Sequence, residues 1–307
     1  MGLSWLSEPT VNALRAGLRA VAPELAAGAI VPRGLEPDDD PQWRAASAVV
    51  DERFVVKFAW AEPPARRIVR EARLIGALRE TAPWMPLPVV TVASSDPAML
   101  VTRRDAAVPF FGVRHLIPPS ALTAVAADLA AFLAGLHAPE VLKAIAGTTP
   151  EPAPPASTGR LRDRFGPLAG ARERVSRWCD WADRVLAEPG RTALVHGDFH
   201  GDNHLWDAAR LRRVVDWETA GPGEPEFDLR CLPGDCGPAL FTATVAEYER
   251  ISGTTLNVDR IMAWHLRTVL GDALWRTEAG VPLPDHRTPA QWVEDLEARF
   301  AALGAPG

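Results

Sequence analysis

The 307-residue chain is short of lysine, cysteine, tyrosine and methionine. Three cysteines (Cys179, Cys231, Cys236), an odd number with no CxxC pair, fit a reducing compartment better than a disulfide framework. A bridge between Cys231 and Cys236 stays a minor alternative. No apolar run approaches the ~20 residues of a membrane helix. The first residues, to about Ala22, lack a basic start followed by an uninterrupted apolar stretch, so no secretory signal is expected. Basic charge is also not in excess. Lys and Arg total 33 against 39 Asp and Glu, a formal charge of −6. That balance argues against nucleic acid as a partner, since such binding needs a basic face. No membrane association is expected, and a cytoplasmic protein is. Of the 33 basic residues only two are lysines, Lys57 and Lys143. Codon bias explains an arginine-rich background, but a lysine kept within it invites a reason. Lysine is a compact point charge and arginine a broad planar fork.

What is present is a globular chain, 47% hydrophobic and 23% charged. Its length suits about two domains. The first third alternates element types. A helix is expected over 10–21, with Val11, Leu14, Leu18 and Val21 on one stripe. A loop is expected over 28–41, with an acidic run at Asp38 to Asp40. Two β runs, 48–50 and 53–58, flank Asp51-Glu52 as a hairpin. A helix over 65–80 follows, then strands over 89–93 and 98–102. After Arg104 the pattern becomes helical: 120–137, 171–186, 239–251, 258–279 and 289–303. Thr288-Pro289 supplies an N-cap and a first-turn proline for the last of these. Residues 147–159 are a Pro-rich connector. The expected architecture is α+β, with a small β-containing lobe (1–103) and a larger helical lobe (104–307) joined near 102–106. A cleft between two such lobes would be the natural place for a small molecule.

Chemistry concentrates in residues 194–218. His196, Asp198, His200, Asp202, Asn203 and His204 crowd between two short β runs, and Asp216 ends the second. An Asn carbonyl and a carboxylate, with other positions left to water and phosphate, suit Mg²⁺. A hairpin would bring Asp216 towards Asn203. Asp198 could accept or orient the proton of an attacking hydroxyl. Phosphoryl transfer needs such groups, because positioning and charge neutralisation carry most of its catalysis. Three alternatives remain open. His196, His200 and His204 with the two carboxylates could bind zinc for hydrolysis. The set could be a bland polar hairpin. A protein kinase is a further option, disfavoured by His-Gly-Asp and by the short stretch from Asp216 to Asp228.

His196-Gly197-Asp198, then Asn203, then Asp216-Trp217 thirteen residues on, resembles the catalytic signature of the aminoglycoside phosphotransferase and choline kinase-like family. The family's HGDxHxxN loop matches HGDFHGDN. The resemblance implies a two-lobed protein-kinase-like fold and transfer of the γ-phosphoryl of ATP, with GTP as the alternative, to a small-molecule hydroxyl with Mg²⁺. It implies Asp198 as catalytic base, Asn203 and Asp216 as metal ligands, and Asp228 as a brace for the loop. Lys57, in a strand pattern, and Glu71, fourteen residues on in a helix, match the kinase pair that handles the nucleotide phosphates. The linker 99–104 resembles the segment that meets the purine, through the backbones of Thr102 and Arg104. His196 is expected to support the loop, and Asp202 to be surface charge, with a third metal ligand as the alternative. His137 is expected to be packed or to cap its helix. Glu218, Glu224, Glu226, Asp235, Asp272 and Glu278 offer acids for a cationic acceptor such as an aminoglycoside or amino sugar. Two departures stand out. Gly201-Asp202 replaces the Pro-Gly common before the Asn, and the loop before Lys57 is poor in glycine and acidic. The second favours a rival reading as a non-catalytic nucleotide-binding pseudokinase.

Overall fold

The computed structural model describes residues 2–36, 39–145, 157–283 and 286–304. Asp38 of the acidic run and most of the Pro-rich connector lie outside the described residues. The chain forms two compact units. Unit 1 takes Met1–Val108, a short piece beginning at Lys143, and Arg212–Glu218. The remainder is unit 2. The division is not the single cut expected near 103, because the segment carrying Asp216 returns to the first unit.

Unit 1 is a five-stranded antiparallel sheet, order β1-β2-β3-β5-β4, with β1 Ile30–Arg33, β2 Ala45–Val50, β3 Phe54–Ala59, β4 Val90–Ser95 and β5 Ala98–Arg103. Strand β1 lies where a loop was expected; its four residues IVPR are too few to show a period. Asp51 and Glu52 turn the β2–β3 hairpin with positive φ (51° and 57°). Helix α1 (Val11–Val21) begins at Thr10, whose hydroxyl accepts from Ala13 N–H. Leu14 and Leu18 of α1 bury against Val50, Val56, Phe58, Met99 and Val101. Strand side chains alternate, so Lys57 points to the face opposite Val56 and Phe58. Helix α2 (Glu62–Thr81) covers that face. Its buried stripe runs Ala65, Ile68, Glu71, Leu74, Ile75 and Leu78, and Glu71 sits in it where helical spacing calls for an apolar residue.

Unit 2 is mainly helical. Its longer helices are α3 (Leu122–Leu136), α4 (Arg172–Val185), α5 (Gly237–Ser252), α6 (Val258–Ala279) and α7 (Pro289–Leu303). α3 packs on α5, and α4 on α6. One core gathers Trp178, Trp181, Leu266, Leu270, Leu296 and Phe300, with the Trp178 and Phe300 rings edge-on at 5.2 Å. Thr288 and Gln291 close a full capping box on α7. The stretch Pro119–Leu136 does have the length and apolarity of a minimal membrane span, which corrects the expectation that no run approaches one. Its Val125, Leu129, Phe132, Leu133 and Leu136 are buried in unit 2. Two three-residue strands, β6 (Ala193–Val195) and β7 (Gly221–Gly223), pair antiparallel with Val195 opposite Gly221. They open and close the stretch that carries the site. A further strand, His204–Asp207, occupies part of what the polar composition suggests is loop.

Candidate active site

In unit 1, Lys57 Nζ donates to Glu71 Oε1 (2.8 Å), Glu71 Oε2 (2.7 Å) and Asp216 Oδ1 (2.7 Å). Three carboxylate oxygens thus converge on the three protons of one ammonium. Burial alone would lower the Lys57 pKa, but Glu71 and Asp216 outweigh it and hold the amine protonated. The segment bearing Asp216 is stitched in by several bonds. Val214 N–H donates to Pro86 O (2.8 Å), and Trp217 Nε1 to Val214 O (2.9 Å). Trp217 N–H reaches Glu71 Oε1 (3.1 Å), and Arg70 reaches Glu218 O (3.0 Å). Asp216 has φ 66°, a left-handed conformation that Asp tolerates better than most residues. Carboxylate oxygens of Glu71, Asp216 and Glu218 lie within 4.8 Å of one another. Thr102 stands opposite Val55 and Val90 in the sheet. Arg104 N–H is already donated to Arg53 O (2.7 Å).

In unit 2, β6 delivers His196, and the chain then turns through Gly197 at φ 82°. A Cβ there would meet Thr219 O at 2.6 Å. Gly197→Ala therefore faces both a clash and a disfavoured φ, and should cost about 1–3 kcal/mol. A denaturant midpoint equal to wild type would contradict this. Asp228, fully buried, accepts from His196 N–H (2.7 Å) and Gly197 N–H (2.8 Å). His137, the C-cap of α3, joins Asp228 through Nε2 (3.1 Å) and Tyr248 OH through Nδ1 (3.1 Å). Arg191 donates to that hydroxyl (3.0 Å). Burial works to raise the Asp228 pKa, yet His137, His196 and the loop N–H groups hold it below the usual range.

Asn203 folds back on Asp198. Its Nδ2 donates to Asp198 O (2.9 Å) and Oδ2 (3.1 Å), which leaves Oδ1 with no protein donor among the described residues. His200 Nε2 lies 3.3 Å from Asp198 Oδ2. Burial raises the Asp198 pKa, but the hydrogen bond and charge of His200, then Arg230, take it below the ordinary carboxyl value. His200 is raised in turn: burial lowers it, and Asp198 more than compensates. Gly201 N–H donates to Asp235 (2.8 Å), whose carboxyl burial pushes up to about 6. Asp202 is exposed, at 62% of its side chain.

His204 turns away from this group into a cage of Phe110, Phe199 and Trp206, with Trp206 Nε1 donating to its Nδ1 (2.7 Å). Burial, with the charges of His200 and His196, lowers its pKa to about 3; burial and Arg299 do the same to His265. Both imidazoles take up protons only on unfolding, so each adds stability above pH ~6.5 that is lost as pH falls towards 3. Chemical denaturation from pH 7 to pH 5 should show falling stability, by roughly 1 kcal/mol per pH unit for each histidine. His204→Phe should flatten the slope, and an unchanged slope would contradict the assignment.

The acids considered for a cationic acceptor each have a partner within the protein. Glu224 is held by Arg260, Gly190 N–H and Trp264 Nε1. Glu226 accepts from Asn257 N–H, Asp272 pairs with Arg276, and Glu278 with Arg160 and Arg164. Sequence reasoning missed His200 as the partner of Asp198, the Tyr248–Arg191 support of His137, and Arg230. The histidine stood within the motif, but the other contacts join residues far apart in sequence.

An antiparallel sheet unit with a strand lysine bound to a helix glutamate, and a helical unit with an Asp-to-Asn loop, define a protein-kinase-like small-molecule phosphotransferase. The chain belongs to the phosphotransferase enzyme family, whose model matches residues 39–256. Viomycin phosphotransferase of Streptomyces vinaceus is 31% identical over 216 residues, covering 64% of this chain and 73% of the relative. Solved structures share the fold. The GDP complex of wild-type aminoglycoside 2'-phosphotransferase-IIIa matches with TM-score 0.64 and 17% identity over 94% of this chain and 97% of that one. Macrolide 2'-phosphotransferase MphH from Brachybacterium faecium matches with TM-score 0.58 and 22% identity over 97% and 98%. The streptomycin–ATP complex of APH(2")-IIa matches with TM-score 0.56 and 16% identity over 94% and 97%.

Proposed function

We propose that this phosphotransferase moves the γ-phosphoryl group of ATP or GTP to a hydroxyl of a small antibiotic-type acceptor. The observation that carries the reading is the Asp198–Asn203–His200 arrangement, a depressed carboxylate fixed from two sides within the loop. Asp198 orients the acceptor hydroxyl and takes its proton as the new O–P bond forms and the β–γ bridge bond breaks. A low proton affinity suits this role, because the loose transition state needs little proton removal before bond formation. Lys57 neutralises phosphate oxygens, and Glu71 holds the ammonium in place. The backbones of Thr102 and Arg104 stay proposed neighbours of the purine, with the Arg104 carbonyl, not its committed N–H, as the group on offer.

Asn203 and Asp216 each offer a donor of the kind Mg²⁺ takes: Asn203 Oδ1 is an uncommitted carbonyl, and Asp216 has a second oxygen beyond the one Lys57 holds. Mg²⁺ held by such ligands would neutralise charge on the phosphates. The cytoplasm, which is reducing and rich in nucleotide, suits three free cysteines.

The viomycin phosphotransferase among the relatives supports an antibiotic of that kind as the acceptor, with the aminoglycosides as the second candidate class. The test is a transfer screen with MgATP and MgGTP over viomycin, kanamycin, streptomycin, a macrolide and amino alcohols, read by mass. A phosphorylated product is expected with at least one antibiotic. Nucleotide binding without transfer to any member would instead favour the pseudokinase.

A further inference from the structure

The loop that carries Asp198 is also held by Arg230, two residues beyond the brace Asp228. Its guanidinium is buried, the residue being 6% exposed. Nη1 donates to Phe227 O (2.7 Å) and Nη2 to Gly197 O (2.8 Å), and the group lies 3.8 Å from the centroid of the Phe227 ring. The same Nη2 stands 3.9 Å from Asp198 Oδ1. Gly197 O belongs to the peptide group that also carries Asp198 N–H. The two peptides around Gly197 are therefore clamped in opposite senses. Asp228 accepts the N–H of one and Arg230 donates to the C=O of the other.

Arg230 is itself anchored. Its carbonyl lies 2.6 Å from His265 Nδ1, and Arg299 Nη1 lies 2.8 Å from His265 Nε2. An arginine can only donate, so Nε2 is the acceptor and Nδ1 carries the proton given to Arg230 O. A polar relay thus runs from α7 through α6 to the loop. A buried cation is costly unless it is paired. Among the described residues, the carboxylate paired with this one is Asp198.

We propose that Arg230 is a positioning residue for phosphoryl transfer: it fixes the Gly197–Asp198 peptide and restrains the Asp198 carboxylate, with the Arg299–His265 pair holding it in register. This rests on Asp198 as the group that meets the acceptor hydroxyl. Arginine is needed because one planar fork reaches two carbonyls and still presents its charge to the carboxylate.

The test compares wild type, Arg230→Lys and Arg230→Met. Transfer from MgATP to viomycin gives kcat and both KM values, and hydrogen exchange of the free protein follows residues 196–203. Arg230→Met should lower kcat by about 30- to 100-fold, the scale of a misplaced reacting group, with both KM values within about threefold. Arg230→Lys keeps the cation and one carbonyl bond and should recover about tenfold of that loss. Exchange should quicken in the loop alone. A kcat for Arg230→Met within about threefold of wild type, a loss confined to KM, or a lysine variant no better than methionine would overturn the proposal. If Arg230→Met does not fold, the lysine variant decides: lower kcat at unchanged KM supports the proposal, and wild-type kcat overturns it. Failure of the wild type to phosphorylate viomycin removes that acceptor and not the inference. Exchange in the free protein then decides: quickened loop exchange in Arg230→Lys or Arg230→Met supports the clamp, and unchanged exchange overturns it.

Discussion

Asp198→Asn is expected to lower kcat by about a thousandfold while leaving nucleotide binding within about threefold of wild type. The amide keeps the size of the carboxylate and can still meet Asn203. It can neither take a proton nor carry the charge that draws an acceptor hydroxyl into line. Asn203 Nδ2 and His200 Nε2 both bond the carboxylate oxygen Oδ2, so the variant also loses a charge-assisted contact to His200. The effect should fall on kcat because Asp198 acts in the step where the proton leaves. Pre-steady-state transfer separates this from slow product release. A variant retaining more than about a tenth of wild-type kcat would remove Asp198 from the chemistry.

The second large effect concerns the lysine that stands out by composition. Lys57→Arg should lower kcat/KM for the nucleotide by about a hundredfold, whereas the exposed Lys143 should accept arginine without change. Three oxygens lie 2.7–2.8 Å from Lys57 Nζ, an arrangement a tetrahedral ammonium satisfies and a planar fork does not. Removing the cation altogether is a different test. Lys57→Met strands the Glu71 carboxylate, 2% exposed, with the Trp217 N–H as its remaining described donor. Breaking a buried pair in this way costs about 3–5 kcal/mol. The arginine variant should be impaired yet folded, and the methionine variant should also melt early. Equal and small losses in Lys57→Arg and Lys143→Arg would reduce the scarcity of lysine to codon bias.

Much of this was legible in the sequence because it is local. Helix 258–279 is bounded by Asn257 as N-cap and Gly280 in the left-handed conformation, and 289–303 by its capping box and Gly304, so their ends are visible in neighbouring residues. The HGD-to-Asn motif is local too. The buried stripe of α2 was read less well. Its packed positions include Glu71 beside Leu74 and Ile75, and a carboxylate in such a stripe is itself a sign of a buried partner. Strand β1 escaped notice because Ile30 and Val31 alone cannot show alternation. What the sequence could not show is long-range. Segment 212–218 joins the first unit through Pro86, Arg70 and Glu71, and the loop, whose brace Asp228 the family resemblance does imply, is also held by Arg230 and, behind His137, by Tyr248. None of those pairings leaves a period or a spacing. The acids offered for a cationic acceptor each have an arginine or a backbone N–H as partner, and those pairings too are not visible in the sequence.

The most direct test of the account is transfer of a γ-labelled phosphoryl group from MgATP and MgGTP to viomycin and kanamycin, with Asp198→Asn run beside the wild type. Labelled antibiotic is expected with wild type and almost none with the variant, both proteins binding nucleotide alike. Label appearing equally with both proteins, or no labelled product with any acceptor while nucleotide still binds, would contradict it.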